Sequence, residues 1–257
     1  MKKPQPKLVQ VSKTEQVTAN LQRIILKGEE LGHFPEHCDG GYIKLLFNTE
    51  GGTDLTLLMD GQRPIMRTYT IRKFNRLKHT IEVDFVRHNT SDLRCGFAAR
   101  WALHAKIGDT INIAGPGLIN DINIEVDWFF MVADMTSLPA LTAKINALPD
   151  NAKGYAVIKV IDNDDMQNIG FPENIKVIWL TAEQPLIDKV RSLDWLSGDV
   201  SVWAACEFDS MRALRSYFRN DKQVTKENIY LSSYWKKGTT EDGHKLIKRQ
   251  DAIDIQD

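Results

Sequence analysis

The sequence predicts an antiparallel β-barrel followed by a parallel-sheet α/β domain, and three observations carry that prediction. In the first half, short strand-like stretches recur between Gly and Asn turns. The one from His79 to Phe85 alternates, with Thr80, Glu82 and Asp84 on one face and Ile81, Val83 and Phe85 on the other. In the second half, apolar runs of strand length alternate with segments at helical spacing, the pattern of βαβ units. Between the halves, Gly115-Pro116-Gly117 and the polar stretch after it set a boundary near residue 120.

Element by element, strands are expected at Leu21 to Lys27, at Tyr42 to Phe47 after the Gly40-Gly41 turn, and at Met66 to Ile71. Further strands are expected at His79 to Phe85 and, after the Gly108-Asp109 turn, at Thr110 to Ala114. One helix is expected in this half, starting near Gly96 and containing Ala98, Ala99, Trp101 and Ala102. Beyond the boundary, Trp128 to Ala133 is too short for a helix and reads as a buried strand. Leu138, Leu141, Ile145 and Leu148 mark a helix, Tyr155 to Val160 and Val177 to Leu180 strands, and Pro185 to Leu193 a helix. Val200 to Ala205 and Ile229 to Leu231 complete the strands, with a helix between them marked by Met211, Leu214 and Phe218.

The chain of 257 residues is 42% hydrophobic and 26% charged, enough apolar material for one large or two modest cores. A formal charge of -1 argues against a general nucleic-acid binder, which needs a basic excess. No stretch approaches the roughly 20 apolar residues of a membrane span, and the N-terminal MKKPQPKLVQ lacks the apolar stretch of a secretory signal. Cys38, Cys95 and Cys206 are odd in number and far apart, so no disulfide framework is expected and a reducing, cytoplasmic setting is the simplest reading. His33, His37 and Cys38 invite a metal site, but Pro35 interrupts them and no second ligand pair accompanies them, so no metal ligand is assigned.

Two segments carry chemistry. In Arg67-Thr68-Tyr69-Thr70-Ile71-Arg72, a strand would project Arg67 and Tyr69 together, with Thr70 opposite or at a kink. An aromatic ring, a guanidinium and a hydroxyl suit a stacked flavin and its phosphates. The same six residues also suit an edge strand with solvated arginines. The second segment runs from Asp84 to Ala102, leaving a strand, crossing a polar loop and entering a helix at Gly96. Free N–H groups at a helix start bind phosphate, and Asp84 and His88 offer partners for hydroxyl or phosphate groups. A plain strand–loop–helix connection reads equally well from these residues alone.

Taken together, the motifs resemble the siderophore-interacting proteins, ferric-siderophore reductases of the ferredoxin-reductase-like superfamily. The resemblance rests on Arg67-x-Tyr69-Thr70-x-Arg72, Asp84-Phe85-Val86-x-His88, Gly96-x-Ala98-x-x-Trp101-Ala102 and Gly115-Pro116. It continues in Asp134-x-Thr136-x-Leu138-Pro139-Ala140, Glu207-x-x-x-Met211-Arg212-x-Leu214-Arg215 and Tyr234-Trp235-Lys236-Lys237-Gly238 with Glu241, Asp242 and His244. These fall in order from about residue 40 to residue 250.

The resemblance implies a barrel domain over residues 1–120 that binds FAD, and an α/β domain, NAD(P)H-binding-like, over residues 121–257 whose C-terminal segment returns to the flavin. Tyr69 would stack on the ring, Arg67 and Thr70 would contact ring edge or phosphates, and Asp84, Val86 and His88 would line the ribityl and pyrophosphate. Ala98 and Ala99 would offer backbone N–H groups, and Tyr234 and Trp235 would close over the cofactor. Lys44, Lys237 and Arg249 would bind an anionic ferric siderophore, with Lys236 able to replace its neighbour. No residue is expected to act as nucleophile or general base, so no catalytic residue is assigned.

Ala133 and Cys206 stand where the family usually has glycine, at strand ends where a dinucleotide approaches the backbone. Asp162, Asp164 and Asp165 would repel a 2′-phosphate if they lie near it. NADPH use is therefore expected to be weak or absent, with NADH or a reduced ferredoxin as donor. The expected whole is a monomeric cytoplasmic reductase that frees Fe(II) for iron acquisition. The alternatives are a general NAD(P)H:flavin or ferredoxin-type reductase and a non-catalytic siderophore- or flavin-binding protein.

Overall fold

Strand β1 (Lys7–Thr18) turns sharply into β2 (Leu21–Lys27), and the two pair antiparallel from Gln10 opposite Lys27 to Thr18 opposite Leu21. β3 (Tyr42–Phe47), β4 (Ile65–Thr70), β5 (Lys73–Asn75), β6 (Thr80–Val86), helix α1 (Phe97–His104) and β7 (Thr110–Gly117) complete the first unit. The computed structural model describes residues 5–87, 96–119 and 121–254. The chain divides into two units, Met1–Ile119 and Asn120–Asp257.

The seven strands of the first unit form one antiparallel sheet in the order β4-β3-β7-β1-β2-β6-β5. Its two outermost strands, β4 and β5, are consecutive in the chain and separated only by Ile71 and Arg72. The Arg72 N–H donates to Glu82 O of β6 at 2.9 Å. The sheet therefore curls so that its two edge strands come together at this corner. Val11, Ile24, Ile43, Ile81 and Ile113 fill the interior, and α1 adds Ala98 and Ala102 to it. Alternation is cleanest on β6, where Ile81, Val83 and Phe85 are buried and their neighbours half-buried.

The second unit holds β8 (Trp128–Asp134), α2 (Leu138–Ile145), β9 (Lys153–Lys159), β10 (Asn174–Leu180), α3 (Leu186–Arg191), β11 (Val200–Glu207), α4 (Phe208–Ser216), β12 (Ile229–Trp235) and α5 (Glu241–Asp254). All neighbouring strands are parallel, in the order β10-β9-β8-β11-β12. Every residue of β8 is buried, as a central strand covered on both faces requires. On one face Trp128, Phe130 and Val132 pack with Val202, Ala204 and α4's Leu214. Gly154 has φ +137°, and a Cβ there would lie 2.0 Å from Phe129 O, so the β8–β9 approach admits only glycine.

The two sheet types agree with the expected fold class. Three elements go beyond the sequence reading: β1, β5 and α5. The expected strands at Val177, Val200 and Ile229 extend further, as β10, β11 and β12.

Candidate functional site

In the first unit, β4 presents the arginine–tyrosine pair on the inward side. Register sets Tyr69 opposite Ile43 and Arg67 opposite Leu45, and residues opposite one another in antiparallel strands share a face. Arg67 is buried, and its Nη1–H donates to Met66 O at 2.9 Å. Thr70 is buried at the end of the strand, Tyr69 is half-buried and Thr68 is exposed. The Tyr69 ring lies 4.3 Å from the Phe85 ring, and Phe85 meets Trp101 edge-on at 5.9 Å. Three motif segments far apart in sequence thus meet in one aromatic row on β4, β6 and α1.

Helix α1 begins at Gly96, which supplies no side-chain cap to the first turn. The N–H groups of Phe97, Ala98 and Ala99 open that turn, where a helix presents partial positive charge. An open groove of about 760 Å³ runs beside the helix, lined by Phe97, Arg100, Trp101, His104 and the Gly51–Gly52 turn.

The outer face of the same strands is an ion-pair network. Arg23 grips Asp84 with both ends of its fork, Nε to Oδ1 at 2.7 Å and Nη2 to Oδ2 at 2.9 Å. Arg72 reaches Asp84 Oδ2 at 3.5 Å and Glu82 Oε2 at 2.7 Å. Asp84 therefore points away from the Phe85–Tyr69 row, and both its oxygens face guanidiniums. Lys44 lies opposite Thr68, on the face away from Tyr69, and forms no ion pair among the described residues.

In the second unit the strand order reverses between β8 and β11, and the carboxyl ends at such a switch point are where open α/β sheets bind ligands. Asp134 ends β8, Glu207 ends β11 and Trp235 ends β12. The Trp235 indole N–H donates to Asp134 Oδ2 at 2.8 Å. Glu207 accepts from the N–H groups of Asp209, Ser210 and Lys237. Ser137 donates to Ala205 O, tying the start of α2 to β11. Tyr234 has a deeply buried hydroxyl whose pKa is pushed far up by burial and by Tyr230 beside it. Cys206 packs into the core with Phe208 and Met211, and burial pushes its thiol well above the ordinary range. It behaves as a small packed residue, and its side chain faces the core rather than narrowing a cleft.

Two family models match the chain in sequence. Residues 10–119 match the siderophore-interacting FAD-binding domain, and residues 126–238 match the siderophore-interacting protein model. The ferric vibriobactin reductase ViuB of Vibrio cholerae is 30% identical over 254 residues, covering 93% of this chain and 92% of that protein. The chain belongs to the siderophore-interacting protein family. A solved family member, SipS of Aeromonas hydrophila, superposes with a TM-score of 0.83 at 29% identity, over 97% of this chain and 98% of the other. The NADPH-dependent ferric-chelate reductase of Escherichia coli is 25% identical over 240 residues, 88% of this chain and 91% of that one.

The barrel unit of this siderophore-interacting protein fits the FAD for which its domain is named. Its inward set is a flat phenol ring and a guanidinium near an uncapped helix start, while Thr70, opposite Tyr42, lies on the other face at the strand's end. The nearby carboxylates Asp84 and Glu82 are neutralised by Arg23 and Arg72. Of the expected site residues, Tyr69, Arg67, Thr70, Ala98 and Ala99 fall in or beside this set. Val86 ends β6 half-buried, and His88 lies outside the described residues. Lys237 and Arg249 are exposed and form no ion pair among the described residues. Asp165, one of the three acids expected to face a 2′-phosphate, is buried and accepts from Asp162 N–H within its own turn.

Sequence reasoning missed Arg23, Phe85 and the carboxylates Asp134 and Glu207 as organising groups. Asp134 and Glu207 carried a signal, since each opens a motif at a strand end. Arg23 carried none, because only the β2–β6 register sets it opposite Asp84.

Proposed function

We propose that this chain is an FAD-dependent reductase of ferric siderophores that frees Fe(II) in the cytoplasm. Family membership and the names of its relatives support the reading. The observation that carries it is the row Tyr69–Phe85–Trp101 beside Arg67 and the open start of α1. In this reading Tyr69 stacks on the isoalloxazine, and Arg67 and Thr70 bind its edge or the phosphates. The N–H groups of Ala98 and Ala99 hold the pyrophosphate, while Val86 and His88 line the ribityl chain. Asp84 acts at one remove: it fixes Arg72 and Arg23 and keeps the strand face neutral.

When bound, FAD supplies the exchange between a two-electron donor and one-electron acceptors that no side chain provides. The protein binds and orients. Tyr69 sets the ring plane, and the buried Arg67 adds positive charge beside it, which favours added electron density. Lys44, Lys237 and Arg249 attract an anionic ferric chelate. Reduction weakens the hold of hard oxygen ligands on iron, so Fe(II) leaves to competing acceptors. No general acid or base is required. The donor is a nicotinamide dinucleotide, which the NADPH-dependent relative favours over a ferredoxin.

Tyr69→Ala tests the reading. The variant is expected to purify with less than a tenth of the wild-type flavin while keeping its fold by circular dichroism. Full flavin content would move the ring elsewhere and overturn the assignment. Steady-state reduction with NADH, NADPH and reduced ferredoxin separates the donors. Turnover with ferredoxin alone would reject the nicotinamide route.

A further inference from the structure

Three consecutive residues at the end of β12 are each tied to an acid from elsewhere in the same unit. The Trp235 indole N–H donates to Asp134 Oδ2 at 2.8 Å, and Lys236 Nζ lies 2.9 and 3.0 Å from the two oxygens of Asp209. The Lys237 N–H donates to Glu207 Oε1 at 3.3 Å. This clamped segment still leaves Trp235 40% exposed. A large aromatic residue is thus held rigidly and presented outward, where a free surface tryptophan would sample several rotamers.

Asp134 differs from the other two acids. It is buried, and no cation pairs with it among the described residues. Donors surround it: the Thr136 N–H and O–H on Oδ1, the indole on Oδ2, and the Ser137 N–H beside them. Burying a carboxylate without a counter-ion is costly, and burial pushes its pKa up despite those donors. A capped turn at Thr136 needs only one acceptor, which a neutral side chain provides. The second oxygen is what the indole uses.

We propose that Asp134 is a positioning residue for Trp235, fixing the indole at the carboxyl ends of the parallel strands as a wall against the nicotinamide ring of the electron donor. This rests on the reductase reading above. The carboxylate is needed because it accepts on both sides. In Asp134→Asn, of nearly equal volume, one side becomes an NH₂ donor. Its oxygen stays with the two Thr136 donors, which turns the NH₂ toward the indole N–H, so the indole loses its acceptor.

The test starts from the indole itself. The chain has six tryptophans, and Trp235→Phe identifies the Trp235 Nε1–H resonance by its disappearance from the ¹⁵N spectrum. In Asp134→Asn that resonance is expected to move and its hydrogen exchange to speed up about tenfold, with the other indole signals in place. Each variant is expected to lower kcat/KM for ferric-chelate reduction by about tenfold, and the double variant by no more than either alone. An unmoved indole resonance, additive losses, or wild-type turnover in both single variants would each overturn the proposal. If Asp134→Asn does not fold, Trp235→Phe still decides, since it keeps an aromatic ring but removes the donor and is expected to show the same loss. Wild-type protein that reduces no ferric chelate while its indole contact is intact would fail the reductase reading, and this inference with it.

Discussion

Removing the Asp84 carboxylate would leave the Arg23 and Arg72 guanidiniums side by side, with Glu82 the nearest remaining carboxylate. The Asp84 side chain is 4% exposed and that of Arg23 14%, so the charges left behind would be poorly solvated. Breaking such a pair costs about 3 kcal/mol. Asp84→Ala is therefore expected to shift the urea midpoint down by that equivalent at unchanged slope, while Asp84→Asn recovers part of the loss through its remaining acceptor. A midpoint within error of wild type would show that the network contributes nothing. At this scale the sequence was partly legible. Tyr69, Arg67 and Thr70 could be read as a group because strand periodicity alone says which residues project together. The roles of Asp84 and Lys44 could not, because they depend on which strand lies alongside, and pairing register is a long-range property.

Helix α5 is held by polar contacts rather than an apolar stripe. Asp251 takes ion pairs from Arg215 at 2.7 Å and Arg212 at 3.1 Å on α4, and His244 Nε2 lies 2.8 Å from Ser233 Oγ on β12. Lys248 Nζ donates to Ser233 O at 2.9 Å. Only His244 and Asp251 are buried on it, which is why helical periodicity in hydrophobicity did not reveal the element. β1 escaped for a related reason, with only Val9 and Val11 buried along its twelve residues. Strands and helices with a full apolar face were legible; those fixed by hydrogen bonds and charge were not.

The same chemistry makes the docking of α5 sensitive to acid. Burial, then the Lys248 charge, holds His244 below its ordinary pKa; Lys236 acts in the same direction, while Glu241 and Glu207 oppose them. An unfolded histidine takes up its proton near pH 6.5, before the folded one does. Stability from the neutral ring is thus present above about pH 6.5 and lost as pH falls through that value toward the lower folded pKa. Amide exchange in 241–254 is expected to rise below pH 6.5 before the rest of the unit responds. Flat protection there down to pH 5, or an identical profile in His244→Gln, would contradict this. On β9, Gly154→Ala places a methyl against Phe129 O, so the second unit is expected to lose its cooperative melting transition.

At the scale of the molecule, two units of different sheet type follow one another. The change of hydrophobic period near residue 120 made that succession legible, because period two and period 3.6 reflect the two backbone geometries directly. The site was legible as motifs but not as an assembly. Nothing in one dimension shows that Phe85 links Tyr69 to Trp101, or that Asp134 on β8 holds Trp235 on β12 across 101 positions of chain.

The central claim is that these motifs serve electron transfer from a bound flavin to ferric iron. Its most direct measurement is anaerobic. Protein loaded with FAD is reduced with one equivalent of dithionite and mixed with a ferric siderophore in the presence of a chromogenic Fe(II) chelator. The account predicts return of the oxidised flavin absorbance together with about two trapped Fe(II) per flavin. A flavin that stays reduced while the ferric chelate persists, or a chain that takes up no FAD, would contradict it.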